Sequence, residues 1–198
     1  DRVDVLGTCA VYSWSLDPTH YTIFEHLGND DEEQLWANYR ITGESDGISK
    51  GIMMWGIMTS QYNELSMGYS GNISRMNSTS RGFTTNRLIG YAESHDEERL
   101  TYKNVQFGNS ANASHNVKTL NVALSRMSAI GAVSLLVPGP KMIWHFGELG
   151  WENSIFACNN GTVNTSSDAI SGDCKLDTKQ QPQWVNNWLG DTNRSKIY

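Results

Sequence analysis

The sequence predicts an α/β fold in which helices cover a parallel β-sheet. Four short, largely apolar runs each end in a polar group or a glycine, which is typical of strands buried on both faces. Segments with helical spacing separate these runs, so the order is strand, helix, strand, helix, strand, long helix, strand. Four β/α units of this kind amount to half of an eight-stranded (β/α)8 TIM barrel. The length of 198 residues is short for a whole one, since a closed barrel typically needs about 250 residues.

Local signals place these elements along the chain. The predicted strands cover residues 21–24, 52–55, 88–92 and 141–146, and the predicted helices cover residues 3–16, 29–39, 61–67 and 117–137. Asp17-Pro18 ends the first helix, and Pro138 ends the last. The second helix starts with four acidic residues, 30–33, which suit the positive end of the helix dipole.

Composition excludes several classes of protein. Seven Trp, eight Tyr and five Phe are too many for a disordered chain. The net charge of −6, without a Lys/Arg cluster, argues against nucleic acid as the main partner. No segment reaches the roughly 20 apolar residues of a membrane span. The chain shows no signal peptide or initiator Met, and we expect it to be a piece of something longer or a processed product.

Three cysteines give a hint about the cellular compartment. Cys158 and Cys174 flank a polar loop, and a disulfide between them would contribute about 3 kcal/mol in the chain-entropy model. Two free thiols are the alternative. Cys9 lies in an apolar helical stretch, where we expect a small buried hydrophobic side chain.

Two carboxylates follow predicted strands. Glu25 comes directly after the first strand, and Asp96 follows the third. Reactive groups collect at the carboxyl ends of parallel strands, and a facing pair of carboxylates suits glycoside hydrolysis. The alternative is that both groups are only solvated or ion-paired.

Three segments resemble motifs of the α-amylase family (family 13 glycoside hydrolases). Residues 88–99, LIGYAESHDEER, resemble its seventh strand, which ends in a His-Asp pair followed closely by Arg. Residues 21–25, YTIFE, resemble its fifth strand, and residues 141–150, KMIWHFGELG, resemble its eighth. The segment 151–184, with its two cysteines, is similar to secreted bacterial α-amylase-like enzymes. The chain, residues 1–198, thus resembles strands five to eight of the catalytic barrel, its C-terminal half.

The resemblance implies specific roles for four residues. Glu25 would be the general acid/base, and Asp96 would stabilise the transition state by binding hydroxyls of the distorted sugar. His95 would donate a hydrogen bond to the same sugar, and His26 could line the leaving-group side. The implied enzyme is a retaining hydrolase of α-1,4-glucosidic bonds, with starch-like glucans and maltooligosaccharides as substrates. Its implied location is secreted or periplasmic, in a bacterium.

The chain departs from the family at the nucleophile. No Gly-x-Arg-x-Asp motif precedes Glu25, and the N-terminal candidates Asp1, Asp4 and Asp17 lie in or beside a helix. We therefore expect the nucleophile, with the first half of the barrel, upstream of this chain, and we expect the isolated segment to be inactive. No cofactor or metal is expected in this segment, because its five His lack zinc-site spacing. Calcium remains possible in the full enzyme, whose domain B this chain lacks.

Two alternatives to hydrolysis remain open. A branching or transglycosylating α-glucan enzyme would share these motifs, and a catalytically silent relative would only bind glycans or a partner protein. Five aromatic residues near strand ends could stack on sugars, of which we expect at most two to do so: Trp55, Tyr62, Tyr69, Trp144 and Trp151. We expect His20, His115 and His145 to be structural or surface histidines.

Overall fold

The computed structural model describes residues 2–42, 51–164 and 184–198. Within these ranges it contains five α-helices and three β-strands, joined by turns and short 3-10 segments. In chain order they are α1 (Arg2–Leu16), β1 (Ile23–Phe24), α2 (Asp30–Ala37), β2 (Met53–Ile57), α3 (Thr59–Met67), β3 (Leu88–Tyr91), α4 (Leu100–Phe107) and α5 (Leu120–Leu135).

The strands form one parallel sheet in the order β1-β2-β3. Ile23 pairs with Met53, and Met54 pairs in turn with Leu88. All four residues of β3 are buried, as are three of the five in β2. Strands that are buried on both faces consist of nearly continuous apolar residues, and this explains why these strands could be predicted from the sequence.

The prediction of half a TIM barrel is wrong. The described residues form a three-stranded open sheet, and the predicted fourth strand contributes a single parallel bridge between Gly90 and Lys141. The backbone then turns away at Phe146, whose φ of 62° lies in the left-handed region that strands do not use. The aromatic side chains of this run, which are also typical of strands, pack against aromatic neighbours instead: Trp144 against His145, and Phe146 against Trp151 of the following segment.

The chain divides into two compact units rather than one. The first unit comprises Asp1–Met58, Ile73–Tyr91 and Leu135–Met142, and the second comprises Thr59–Asn72, Ala92–Ser134 and Ile143–Tyr198. The sheet belongs to the first unit, whereas α3, α4 and nearly all of α5 belong to the second.

The first unit has its core where α1 and α2 pack against the sheet. Its buried members are Ala10, Trp14, Trp36, Ala37, Ile52, Met54, Phe83 and Leu88. The buried residues of α1 are Gly7, Ala10 and Trp14, which lie on one face at helical spacing. Cys9 lies off that face and is exposed, so the expectation that it is buried is wrong.

The second unit is built from packed helices. Its core includes Tyr62 of α3 together with Leu124 and Met127 of α5. Polar bonds add to this packing: the Ser66 hydroxyl donates to Asn104 Oδ1 at 2.7 Å, and Arg126 Nε donates to the Ser66 carbonyl at 2.7 Å. The predicted long helix is confirmed as α5, with slightly narrower bounds.

Candidate functional site

Glu25 and His26 follow β1 in the first unit. Glu25 is exposed to solvent. The ring of His26 packs edge-on against Trp36 at 4.8 Å between ring centroids, and its Nδ1 lies 3.3 Å from Glu33 Oε1. Its Nε2 lies 3.3 Å from a carboxylate oxygen of Glu32. The structure thus places both ring nitrogens of His26 beside carboxylates of α2, and its role toward a sugar stays a prediction.

Four side chains form an ion-pair network beside β1, here called the α2 charge cluster: Asp30, Glu33, Arg75 and Arg81. Arg75 donates to both oxygens of Asp30, each at 2.7 Å. Arg81 Nε donates to Asp30 at 3.0 Å, and Arg81 also bonds the fully buried carboxylate of Glu33. The hydrogen bond from Arg75 holds the pKa of Asp30 below its ordinary value, with Arg81 adding to the effect and burial opposing it.

The two arginines of the α2 charge cluster line a cavity in the first unit. The cavity has a volume of about 230 Å³, and its lining includes Leu27, Gly28, Trp55 and the two arginines. Leu27 has a φ of 54°, which is unusual for a residue with a bulky side chain. Trp55 packs edge-on against Tyr91 at 5.3 Å between centroids. Of the predicted sugar-stacking aromatic residues, Trp55 is therefore one that borders a cavity.

His95 and Asp96 lie in the second unit, on the loop that leads from β3 to α4. His95 Nε2 is 3.3 Å from Asp96 Oδ1. The side chain of Asp96 is 65% exposed and that of His95 is 39% exposed, so a ligand can reach both. The ring of Trp144 lies 5.9 Å from the His95 ring between centroids. A carboxylate, an imidazole and an indole thus share one surface.

Buried charged residues flank this pair. Glu93 Oε1 accepts a hydrogen bond from the Leu100 amide at 2.6 Å. Arg99 lies 4.0 Å over the ring of Trp151 and donates to the carbonyl of His145 at 3.1 Å. Burial raises the pKa of Glu93 and lowers that of Arg99, and the attraction between the two opposes each effect.

Glu98 joins the same loop to a later segment. Its carboxylate accepts hydrogen bonds from the Ser154 hydroxyl and from the Ile155 amide, the latter at 3.0 Å. Within the loop, the Asp96 amide donates to Ser94 Oγ at 3.3 Å. The loop that carries His95 and Asp96 is therefore held by hydrogen bonds at both ends and in its middle.

The structure brings together some of the predicted site residues. His95 and Asp96 form a pair, and Trp144 lies beside them, all within the second unit. Glu25 and His26 belong to the first unit. Cys158 is disulfide-bonded, and its predicted partner Cys174 lies outside the described residues.

The ion pairs of the α2 charge cluster and the burial of Glu93 are not predictable from the sequence. The helix dipole alone accounts for the acidic residues of α2 at the level of sequence, because Arg75 lies 45 positions beyond Asp30 and no local pattern links the two. Glu93 stands in the predicted motif, but its residue type carries no sign of burial.

Comparison with known proteins gives no family model that matches this chain and no significant match among curated proteins. Among the helices that the structure describes, none combines the length and the apolar character needed to cross a membrane.

Proposed function

We propose that this chain carries part of the active site of a retaining glycoside hydrolase that acts on α-1,4-glucosidic bonds of starch-like glucans. The observation that carries the proposal is the exposed His95–Asp96 pair beside Trp144, at the position of the predicted motif. In the proposed reaction Glu25 is the general acid/base, and Asp96 stabilises the transition state.

The chemistry of a pyranose supports this assignment. A sugar ring presents hydroxyl groups at its edge and C–H bonds on its face. The Asp96 carboxylate can accept hydrogen bonds from hydroxyls, His95 can donate one, and the Trp144 ring offers an apolar surface. The negative charge of Asp96 also favours the positive charge that develops on the sugar ring in the transition state.

The proposed mechanism is a double displacement. Glu25 donates a proton to the glycosidic oxygen as the bond from C1 breaks, while an aspartate attacks C1 from the opposite face. Glu25 then takes a proton from water, which displaces the aspartate and restores the α configuration. The resemblance assigns that aspartate to a residue upstream of this chain, so we propose that this chain supplies the acid and the stabiliser.

The disulfide at Cys158 supports an extracytoplasmic location, since disulfides persist in oxidising compartments. We therefore propose a secreted or periplasmic protein.

Calorimetric titration with maltoheptaose tests the binding part of the proposal. We expect Asp96→Asn to weaken the affinity by about tenfold or more, because a neutral amide accepts sugar hydroxyls less strongly than a carboxylate. Asp4→Asn is the matched control, since Asp4 is an exposed residue of α1 in the first unit. An isotherm without binding, or one that Asp96→Asn leaves unchanged, contradicts the proposal.

A reaction with α-maltosyl fluoride and azide separates a hydrolase from a silent glycan-binding protein. Fluoride leaves C1 with the bonding electrons and needs no proton, while azide forms the new bond to C1 in place of the aspartate. We expect azide to accelerate fluoride release and to yield the β-azide, with Glu25→Gln retaining this reaction and Asp96→Asn losing it. Fluoride release at the uncatalysed rate, with or without azide, would favour the silent relative.

A further inference from the structure

One buried carboxyl closes the loop that carries His95 and Asp96. Glu93 lies at the start of the loop, two residues after β3, and is 7% exposed. Its Oε1 accepts from the amide of Leu100, the first residue of α4, at 2.6 Å. Since the first amides of a helix lack partners within the helix, this bond also satisfies a buried donor.

The surroundings of Glu93 leave its carboxyl little freedom. A Cβ atom at Gly147 would lie 2.5 Å from Glu93 Oε2, so any larger residue there would displace that oxygen from its position. The guanidinium of Arg99 lies on another side, with Nη1 4.0 Å from the same oxygen. The Glu93 side chain is therefore held by contacts with α4, with Arg99 at the end of the loop and with the later segment around Gly147.

The loop residues between Glu93 and Leu100 are held by further hydrogen bonds. The Asp96 amide bonds Ser94 Oγ, and that hydroxyl also bonds the Glu97 carboxylate. These bonds fold the middle of the loop on itself, while the bond from Glu93 fixes the separation of its ends. A carboxylate that binds a sugar must be held within about 0.5 Å of its productive position, which demands such support.

We propose that Glu93 is a positioning residue that holds the His95–Asp96 segment in place by bonding the Leu100 amide across the loop, with Gly147 providing the space its carboxyl requires. The consequence for sugar binding rests on the proposed function. The effect on the loop can be measured without a sugar.

Two substitutions of Glu93 distinguish the effect of its side-chain length from the effect of its charge. Glu93→Gln keeps the length of the side chain and an oxygen that can accept from Leu100, whereas Glu93→Asp keeps the charge but is one methylene shorter. We expect Glu93→Gln to retain the wild-type NMR order parameter of the Asp96 amide and the wild-type His95 ring signal. We expect Glu93→Asp to lower the order parameter, shift the ring signal and weaken maltoheptaose binding by about tenfold.

Gly147→Ala tests the same support without altering the amino acids of the loop itself. Because its new methyl group meets Glu93 Oε2, we expect the same changes at His95 and Asp96 as in Glu93→Asp. Gly7→Ala is the control, since a Cβ there meets nothing closer than 3.6 Å. Glu64→Gln, on α3, controls for loss of a carboxylate elsewhere in the second unit.

The outcomes decide the proposal. Unchanged His95 and Asp96 signals in both Glu93→Asp and Gly147→Ala overturn it, as does a Glu93→Gln protein that behaves like Glu93→Asp. If Glu93→Asp does not fold, judged by the amide signals of α5, Gly147→Ala decides alone. If the wild-type protein binds no maltoheptaose, the proposed function fails, while the sugar-free NMR comparison still decides the role of Glu93.

Discussion

At the scale of single residues, the buried ion pair between Glu33 and Arg81 is expected to stabilise the folded protein. The fully buried carboxylate of Glu33 bonds Arg81, accepts from the Gly28 amide at 2.9 Å and faces the His26 ring. Removing it leaves Arg81, which is 6% exposed, with the partly exposed Asp30 as its remaining carboxylate partner. We expect Glu33→Ala to lower the free energy of unfolding in urea by about 1–3 kcal/mol, the cost of leaving a buried donor without its hydrogen bond, because Asp30 still compensates the charge of Arg81.

Glu32, the neighbour of Glu33, provides the control. It pairs at 3.0 Å with Arg2, whose side chain is 76% exposed, and lies 3.3 Å from His26 Nε2. Its own side chain is 19% exposed whereas that of Glu33 is fully buried, and pairs that reach the surface contribute about 0–1 kcal/mol. Glu32→Ala should therefore change the urea midpoint little. Equal losses in the two variants would show that burial of the Glu33–Arg81 pair does not matter.

At the scale of elements, a glycine of β2 and a glycine of β3 differ in what an added side chain would meet. Gly56 stands opposite Gly90 in the parallel register. A Cβ at Gly56 would lie 2.8 Å from Leu88 Cγ and 3.1 Å from the Ile89 carbonyl, whereas one at Gly90 would meet the end of the Met76 side chain at 2.4 Å. Backbone and core atoms cannot move aside as a methionine methyl can.

We therefore expect Gly56→Ala to destabilise the protein more than Gly90→Ala. Overpacking of this kind costs about 1–3 kcal/mol, and we expect Gly56→Ala in that range with Gly90→Ala below it. Thermal unfolding of the two variants beside the wild type measures the difference. The reverse order would mean that Met76 is less adaptable than the Leu88–Ile89 segment.

Some of the helices and strands could be predicted from the sequence, and others could not. Strands β2 and β3 and helix α5 were recognisable because their apolar residues follow the burial pattern of the element. Helix α4 was not, because its buried residues include Thr101 and Asn104 beside Leu100, and polar residues on the inner face hide the helical period. Its polar inner face is explained by the bond from Ser66 to Asn104.

At the scale of the whole molecule, the limits of sequence reasoning lie in long-range pairing. The segment after Lys141 has the aromatic composition of a strand. Its aromatic rings pack against neighbouring rings, however, and its pairing with β3 is limited to the single bridge at Lys141. The two compact units take their segments alternately along the chain, so no linker or change in composition marks a boundary. The His95–Asp96 pair could be predicted because its members are adjacent, whereas the partners of Asp30 could not.

The cysteines allow a test on the whole chain. Cys158 is disulfide-bonded and Cys9 is an exposed free thiol, while Cys174 is the predicted partner of Cys158. Thiol titration of the native, unreduced protein should therefore count one reactive group, and reduction under denaturing conditions should reveal all three cysteines. A loop of about 15 residues closed by this bond should stabilise the protein by about 3 kcal/mol, measured as the loss in Cys158→Ser.

Cys9→Ser separates the two kinds of cysteine. This variant should have no reactive thiol in the native state and should keep the wild-type stability, because the Cys9 side chain lies off the buried face of α1. Cys158→Ser should instead gain one thiol relative to the wild type, that of Cys174. If the native wild-type protein gives three thiols, the disulfide is absent in solution, and the argument for an oxidising compartment is lost with it.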